Sequence, residues 1–218
     1  MFLGHYGVAF AAKKVAPKVS LGVLFIAAQF ADILWPVFLV SHVEKYSIVP
    51  GISKVSPYDF IYYPYSHSLL MDIVWGLILG LVYYGITKNR RGAWVVALLV
   101  ISHWILDLIV HIPDLPLSPF GDIKVGLGGW NSVAFTIAIE VLFFYGGLII
   151  YLRNTRAVKP VGNWVLGVLV VLLTLLYFLS TFGKADNGPL IMLFIVFMLL
   201  QTILVLLANW SDKNRRLV

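Results

Sequence analysis

The sequence predicts an all-α, polytopic integral membrane bundle of about six transmembrane helices, preceded by a short, half-inserted amino-terminal helix. Three observations lead there. The 218 residues are 61% hydrophobic and only 12% charged, where a soluble domain carries about 25% charged residues, and the mean hydropathy is +0.93. Successive apolar segments reach roughly 20 residues, the length that crosses the hydrocarbon core. Basic residues fall only outside those segments, mostly in alternate connections. The composition excludes a soluble enzyme, a disordered chain and a nucleic-acid-binding domain, so the net charge of +6 is read through its positions and not as a sign of a polyanionic partner. With no cysteine, disulfides and thiolate chemistry are absent, and any metal must be held by His, Asp and Glu, which suits zinc or a harder ion.

The opening stretch, MFLGHYGVAFAAKK, has no basic region ahead of its apolar residues and does not read as a signal peptide. Its run before Lys13 measures about 18 Å as a helix, half a bilayer. The first span runs from about Leu21 to Val43, the second from about His67 to Ile86 and the third from about Ala93 to Ile112. The fourth covers about Trp130 to Leu152, the fifth about Val161 to Phe182 and the sixth about Pro189 to Asn209. The chain reads as one transmembrane domain, in which 1–152 carries the polar residues and 153–218 supplies two scaffold helices. Lys13, Lys14, Lys18, Lys88, Arg90, Arg91, Arg153, Arg156, Lys159, Lys213, Arg215 and Arg216 share one side, twelve of the sixteen basic residues. Lys45, Lys54, Lys124 and Lys184 take the other. The positive-inside rule then puts both termini in the cytoplasm of a cell with this as its inner membrane, and Trp94, Trp164 and Trp210 at the inner interface, with Trp130 at the outer.

No Lys or Arg lies within a span, yet Asp32, Asp72, Asp107 and Glu140 do, with His103. Each acid at mid-bilayer costs about 2.5–3.5 kcal/mol. Four cost about 10 kcal/mol, comparable with a domain's whole net stability. They must be protonated, paired with imidazolium or bound to a cation. At 1.5 Å per residue, His103 and Asp32 lie about 15 and 17 Å above the cytoplasmic end of their spans, and Asp107 about 21 Å. Glu140 lies about 15 Å below the outer end and His5 reaches about 12 Å up its short helix. His67 and His111 stand above this layer.

Spacing supports a common site. His103 and Asp107 are four apart and share a helix face, with His111 a further turn along. Ser132, Thr136 and Glu140 repeat that step on the fourth span. A lone intramembrane His ordinarily bonds a neighbouring helix, but a His one turn from an Asp, at the depth of other acids, reads as a ligand. Asp32 serves either as a ligand or to satisfy backbone groups freed by Pro36. Asp72 has no obvious partner, His42 reads as interfacial, and His111 is either a ligand or a helix-end residue. The outer stretches SPYDFIYYPYSHS and HIPDLPLSPFGDIKVGLGGWNS read as an aromatic belt and as a connection or lid.

Gly4-His5, Asp32 within AAQFADILWPVF, Ser66-His67-Ser68 and His103-Trp104-Ile105-Leu106-Asp107 occur in order in the first half of the chain. In this ordered set the chain resembles the bacterial membrane-bound metal-dependent hydrolases of the YdjM-like group, distant relatives of zinc-dependent phospholipase C. That family commonly has Pro-Asp-x-Asp at the second motif, where this chain has Ala31 before Asp32 and Ile33-Leu34 after it. The resemblance implies a hydrolase with one or two zinc-like ions on His5, Asp32, His67, His103 and Asp107, joined by His111. A metal-activated water would be the nucleophile, with Glu140 or Asp72 orienting it. The expected substrate is a lipid or lipid-linked phosphoester, or another ester, reached from the outer leaflet. The rival expectation is a proton- or cation-coupled transporter or channel using the same groups as a relay. A relay should continue to the cytoplasmic face, whereas the polar groups thin out in the inner half.

Overall fold

The computed structural model describes residues 1–183 and 188–218; Lys184, assigned to the outer side above, lies outside the described residues. The chain opens with α1 (Leu3–Val15), then α2 (Leu21–Ala28) and α3 (Phe30–Val40), which meet at a 54° bend. An antiparallel hairpin, β1 (Lys45–Ile48) and β2 (Tyr58–Tyr62), leads to the single turn α4 (Pro64–His67). The long helices α5 (Leu69–Thr87) and α6 (Arg90–Val110) follow. A short ladder of β3 (Leu115–Pro116) with β4 (Lys124–Val125) and a 3-10 turn precede α7 (Val133–Asn154). Strand β5 (Thr155–Ala157), α8 (Pro160–Phe182), α9 (Leu190–Lys213) and β6 (Arg215–Leu217) complete it, with β5 and β6 paired.

Among the described residues α5 to α9 are each long and apolar enough to cross a membrane, and α2 with α3 makes a sixth candidate if the bent pair is one span. Their outward faces carry large apolar side chains such as Leu81, Leu98, Leu142, Leu179 and Leu199, all exposed. A water-facing surface does not carry that much apolar area. Local chemistry sets the helix starts: Ser20, Ser68, Asn89 and Ser132 each accept a backbone N–H three residues on, the N-cap arrangement. Pro36 stays inside α3; the break falls instead at Gln29, where the backbone leaves the helical region (φ −103°, ψ 12°).

The first helix packs inside the bundle. Leu3, His5, Tyr6, Ala9 and Phe10 are buried among α2, α6 and α7. It approaches α7 until backbones touch: a Cβ on Gly147 would lie 1.8 Å from the Gly7 carbonyl oxygen, and one on Gly7 would lie 2.2 Å from that of Phe143. Helices α5 and α6 meet in the same way, Gly76 and Gly80 facing the carbonyls of Ala97 and Ala93. Without water to drive association, close backbone approach at small residues is how membrane helices gain dispersion contact. Phe10 then packs its ring on Phe25, Phe144 and Tyr151. At the far end of α1, Lys13 Nζ donates to Asp212 Oδ2 (2.6 Å) and to the Val19 carbonyl. Asp212 also accepts from Leu21 N and Tyr151 Oη, tying α1, α2, α7 and α9 together at one end of the bundle.

Candidate metal centre

The bend at Gln29 and the turn α4 bring polar residues against α6. His103, mid-helix on α6, is buried, and its Nδ1 lies 2.8 Å from the Ala28 carbonyl oxygen at the end of α2. Only an N–H can make that pairing, so Nδ1 carries a proton and Nε2 is the nitrogen turned inward. Nε2 sits 3.3 Å from Asp107 Oδ2 and 3.8 Å from Asp32 Oδ1 yet has no hydrogen-bond partner among the described residues. His67 Nε2 is 3.3 Å from Asp32 Oδ1. Its Nδ1 lies 2.7 Å from Ser66 Oγ, which donates onward to Glu44 Oε2 at 2.6 Å. A serine hydroxyl has one proton, so donating it to Glu44 leaves it accepting from His67 Nδ1–H. Again Nε2 is the nitrogen turned inward, toward Asp32.

His5, from α1, stacks flat on His103 with ring centroids 3.8 Å apart, and its Nε2 lies 3.1 Å from Asp107 Oδ1. The Met1 amino group also contacts Asp107 Oδ1. Two sets of donors thus lie close enough to grip one ion, each set within 4.8 Å: Asp32, His67 and His103, and His5, His103 and Asp107. The structure therefore brings five of the expected ligands together. Asp32 is the open one, its side chain 25% exposed, while the others are buried.

The remaining candidates stand at the edge. His111 caps α6, its Nε2 lies 3.7 Å from Asp107 Oδ2 and its Nδ1 2.9 Å from Asp114 Oδ1. Trp130, expected at the outer interface, lies against His111, centroids 4.0 Å apart. Asp72 is fully buried and neither carboxylate oxygen has a hydrogen-bond partner among the described residues. His42 is exposed, in the left-handed region at φ 59°, away from the cluster.

Glu140 has another employment. Oε1 accepts from Phe2 N (2.7 Å) and Oε2 from Gly4 N (2.8 Å), so the carboxylate caps the buried start of α1, where amides lack intrahelical partners. Ser132 and Thr136, expected to form a polar face with it, cap α7 and bond the Gly129 carbonyl. Glu140→Gln would set an NH2 against one of those amides. We expect a lower thermal midpoint by differential scanning in detergent, because the start of α1, and with it the His5 stack on His103, would loosen.

Sequence reasoning missed Glu44 altogether. It is buried, and besides Ser66 Oγ it accepts from the amides of Tyr65 and Ser66. Burial pushes its carboxyl above the usual range, and the Ser66 hydrogen bonds oppose that rise. The available signal was rarity: the chain has only two glutamates, Glu44 and Glu140. Outer partners that orient a ligating imidazole are typically worth about 10–100-fold in metal affinity. If these imidazoles hold a metal ion, Glu44→Gln should weaken its binding by about that factor in a competitive chelator titration, with α-helical content unchanged. No protein-family model, no curated protein and no solved structure matches the chain, so the chemistry has to be argued from these side chains.

Proposed function

We propose that the chain is a multi-pass membrane hydrolase with one divalent ion, zinc by the nature of its donors, on Asp32, His67 and His103. The observation that carries this reading is His103 Nε2, a buried imidazole nitrogen with no hydrogen-bond partner among the described residues, turned toward the Asp32 and Asp107 carboxylates by the Nδ1–Ala28 bond. Both imidazoles of that trio are oriented through Nδ1, by Ala28 and by Ser66, which is how ligating histidines are ordinarily held. Two His and one carboxylate with a fourth position open is a catalytic zinc pattern, distinct from closed structural sites. Because His103 has a single uncommitted nitrogen, we assign the two overlapping donor sets to one ion.

A bound ion would polarise a phosphoryl or carbonyl oxygen and acidify a water. The protein's own part is to hold the trio rigid, to keep Asp107 beside it with His5 and His111 as partners, and to admit substrate at Asp32. Asp107 is better placed than Glu140 to take a proton, since both Glu140 oxygens are engaged by amides. The substrate we propose is a lipid or lipid-linked phosphoester, or another ester. This reading keeps the chain with the YdjM-like hydrolases that it resembles. It treats α2 and α3 as one span, giving six, with both termini cytoplasmic and the site in the outer half of the inner membrane. The rival relay is less well supported: along α1, Phe10 separates His5 from Lys13 and joins Leu24, Phe25, Phe144 and Leu148 in one apolar cluster. The test is direct. Protein purified in detergent, loaded with zinc and dialysed should retain one equivalent and release product from phospholipid vesicles. Retention of no divalent ion in any buffer would end the reading.

A further inference from the structure

The connection from α1 to α2 meets the start of α6 at the basic end of the bundle. Gly92, in the first turn of α6, fits so closely there that a Cβ would lie 2.8 Å from Val19 Cγ2. Lys13 Nζ donates to the Val19 carbonyl, and Val19 N to the Ala16 carbonyl, which fixes the connection. Asn89 Oδ1 accepts from Gly92 N and caps α6. Between these two pieces lies a cavity of about 280 Å³, lined by Ala16, Pro17 and Lys18 with Asn89, Arg91 and Gly92. Lys18 and Arg91 are exposed, and neither makes an ion pair or side-chain hydrogen bond among the described residues. With Asn89 Oδ1 committed to the cap, its NH2 is the group left over. Every uncommitted side-chain polar group in the lining is therefore a donor, two of them are cations, and no carboxylate joins them. Asp212, at the same end, already has its oxygens engaged by Lys13 Nζ, Leu21 N and Tyr151 Oη. Two like charges beside one small cavity repel each other until an anion sits between them.

We propose that this cavity binds an anionic phosphate group, whose oxygens accept from Lys18, Arg91 and the Asn89 NH2. Guanidinium and ammonium groups make their stronger, charge-assisted hydrogen bonds to such oxygens, and a lining of donors alone selects a ligand made of acceptors. The site is independent of the hydrolase reading. Arg91 stands about 24 Å along α6 from Asp107, at 1.5 Å per residue, and none of the cavity's residues belongs to the metal-binding trio. Two sources offer this chemistry at a membrane surface, an anionic phospholipid headgroup and free phosphate, and the experiment separates them.

The experiment is native mass spectrometry of the full chain in detergent, offered phosphatidylglycerol, phosphatidylcholine or inorganic phosphate, singly and in competition. Wild type should retain phosphatidylglycerol in preference to phosphatidylcholine, or carry an inorganic phosphate adduct. Lys18→Gln with Arg91→Gln should weaken that binding about thirtyfold, roughly fivefold for each cation lost. Arg156→Gln with Arg216→Gln removes the same charge from the β5–β6 ribbon at this end and should leave it unchanged. Asn89→Asp keeps the cap of α6, since Asp caps as well as Asn, but puts a carboxylate in the cavity. It should abolish binding with the thermal midpoint unchanged. Phosphatidylglycerol that resists displacement by inorganic phosphate identifies the lipid headgroup as the source; a phosphate adduct that displaces it identifies free phosphate. Neither ligand retained, or equal losses in the two double variants, overturns the inference. Zinc content should be the same in every variant, so failure of the metal centre and failure of the phosphate site are read separately.

Discussion

His103→Ala protein is expected to lose its zinc equivalent while keeping its helical content and its elution as a folded species. His103 is the residue shared by both donor sets, so among the described residues no alternative trio survives its removal. What remains is Asp32 with His67, and His5 with Asp107, each a two-donor site. The fold should tolerate the change because His103 makes one hydrogen bond, to a carbonyl at a helix break, and no apolar core residue is lost. His42→Ala is the matched control: an exposed imidazole outside the cluster, whose loss should leave zinc unchanged. Metal analysis after dialysis, with circular dichroism on the same samples, decides it. A full equivalent retained by His103→Ala would remove the proposed centre.

The largest loss of stability is expected from Gly147→Val. Overpacking a core usually costs about 1–3 kcal/mol because side chains can shift. Here a Cβ would fall 1.8 Å from the backbone oxygen of Gly7, and neither helix backbone can yield locally. The whole of α1 would have to move away from α7. That displacement would break the Glu140 hydrogen bonds to Phe2 N and Gly4 N and carry His5 off its stack on His103. Thermal unfolding in detergent should therefore show a large drop, or no folded protein. Gly146→Val, one residue earlier and with open space around its Cβ position, should behave like the parent. Equal stabilities for the two variants would contradict the α1–α7 contact.

Much of the centre could be read beforehand because the membrane penalises charge. Asp32, His103 and Asp107 are costly where they lie, and that cost identified them without any structure; the one-turn spacing of His103 and Asp107 added a shared face. The same reasoning did not reveal how Glu140 is held, since an expensive carboxylate is offset as well by two backbone amides as by a cation. Those amides belong to Phe2 and Gly4, 138 and 136 residues away, and no pattern local to Glu140 announces them. Glu44 escaped for the opposite reason: placed beyond the end of α3, it carries no membrane penalty to attract notice, and its worth lies wholly in meeting Ser66.

The helix lengths, their apolar faces and the separation of basic from acidic residues follow from composition and spacing, because a hydrocarbon solvent rewards them residue by residue. The bend at Gln29 belongs to another order of cause. Pro36, the visible breaker, remains within α3, while the chain opens where the Ala28 carbonyl meets His103 from a different helix. Which nitrogen of each histidine faces inward, and whether a buried acid binds an ion or caps a helix, depends on hydrogen-bond partners brought from distant parts of the chain. Solvent preference acts on single residues and is legible along the sequence; the pairing of donors with acceptors exists only once the helices have packed.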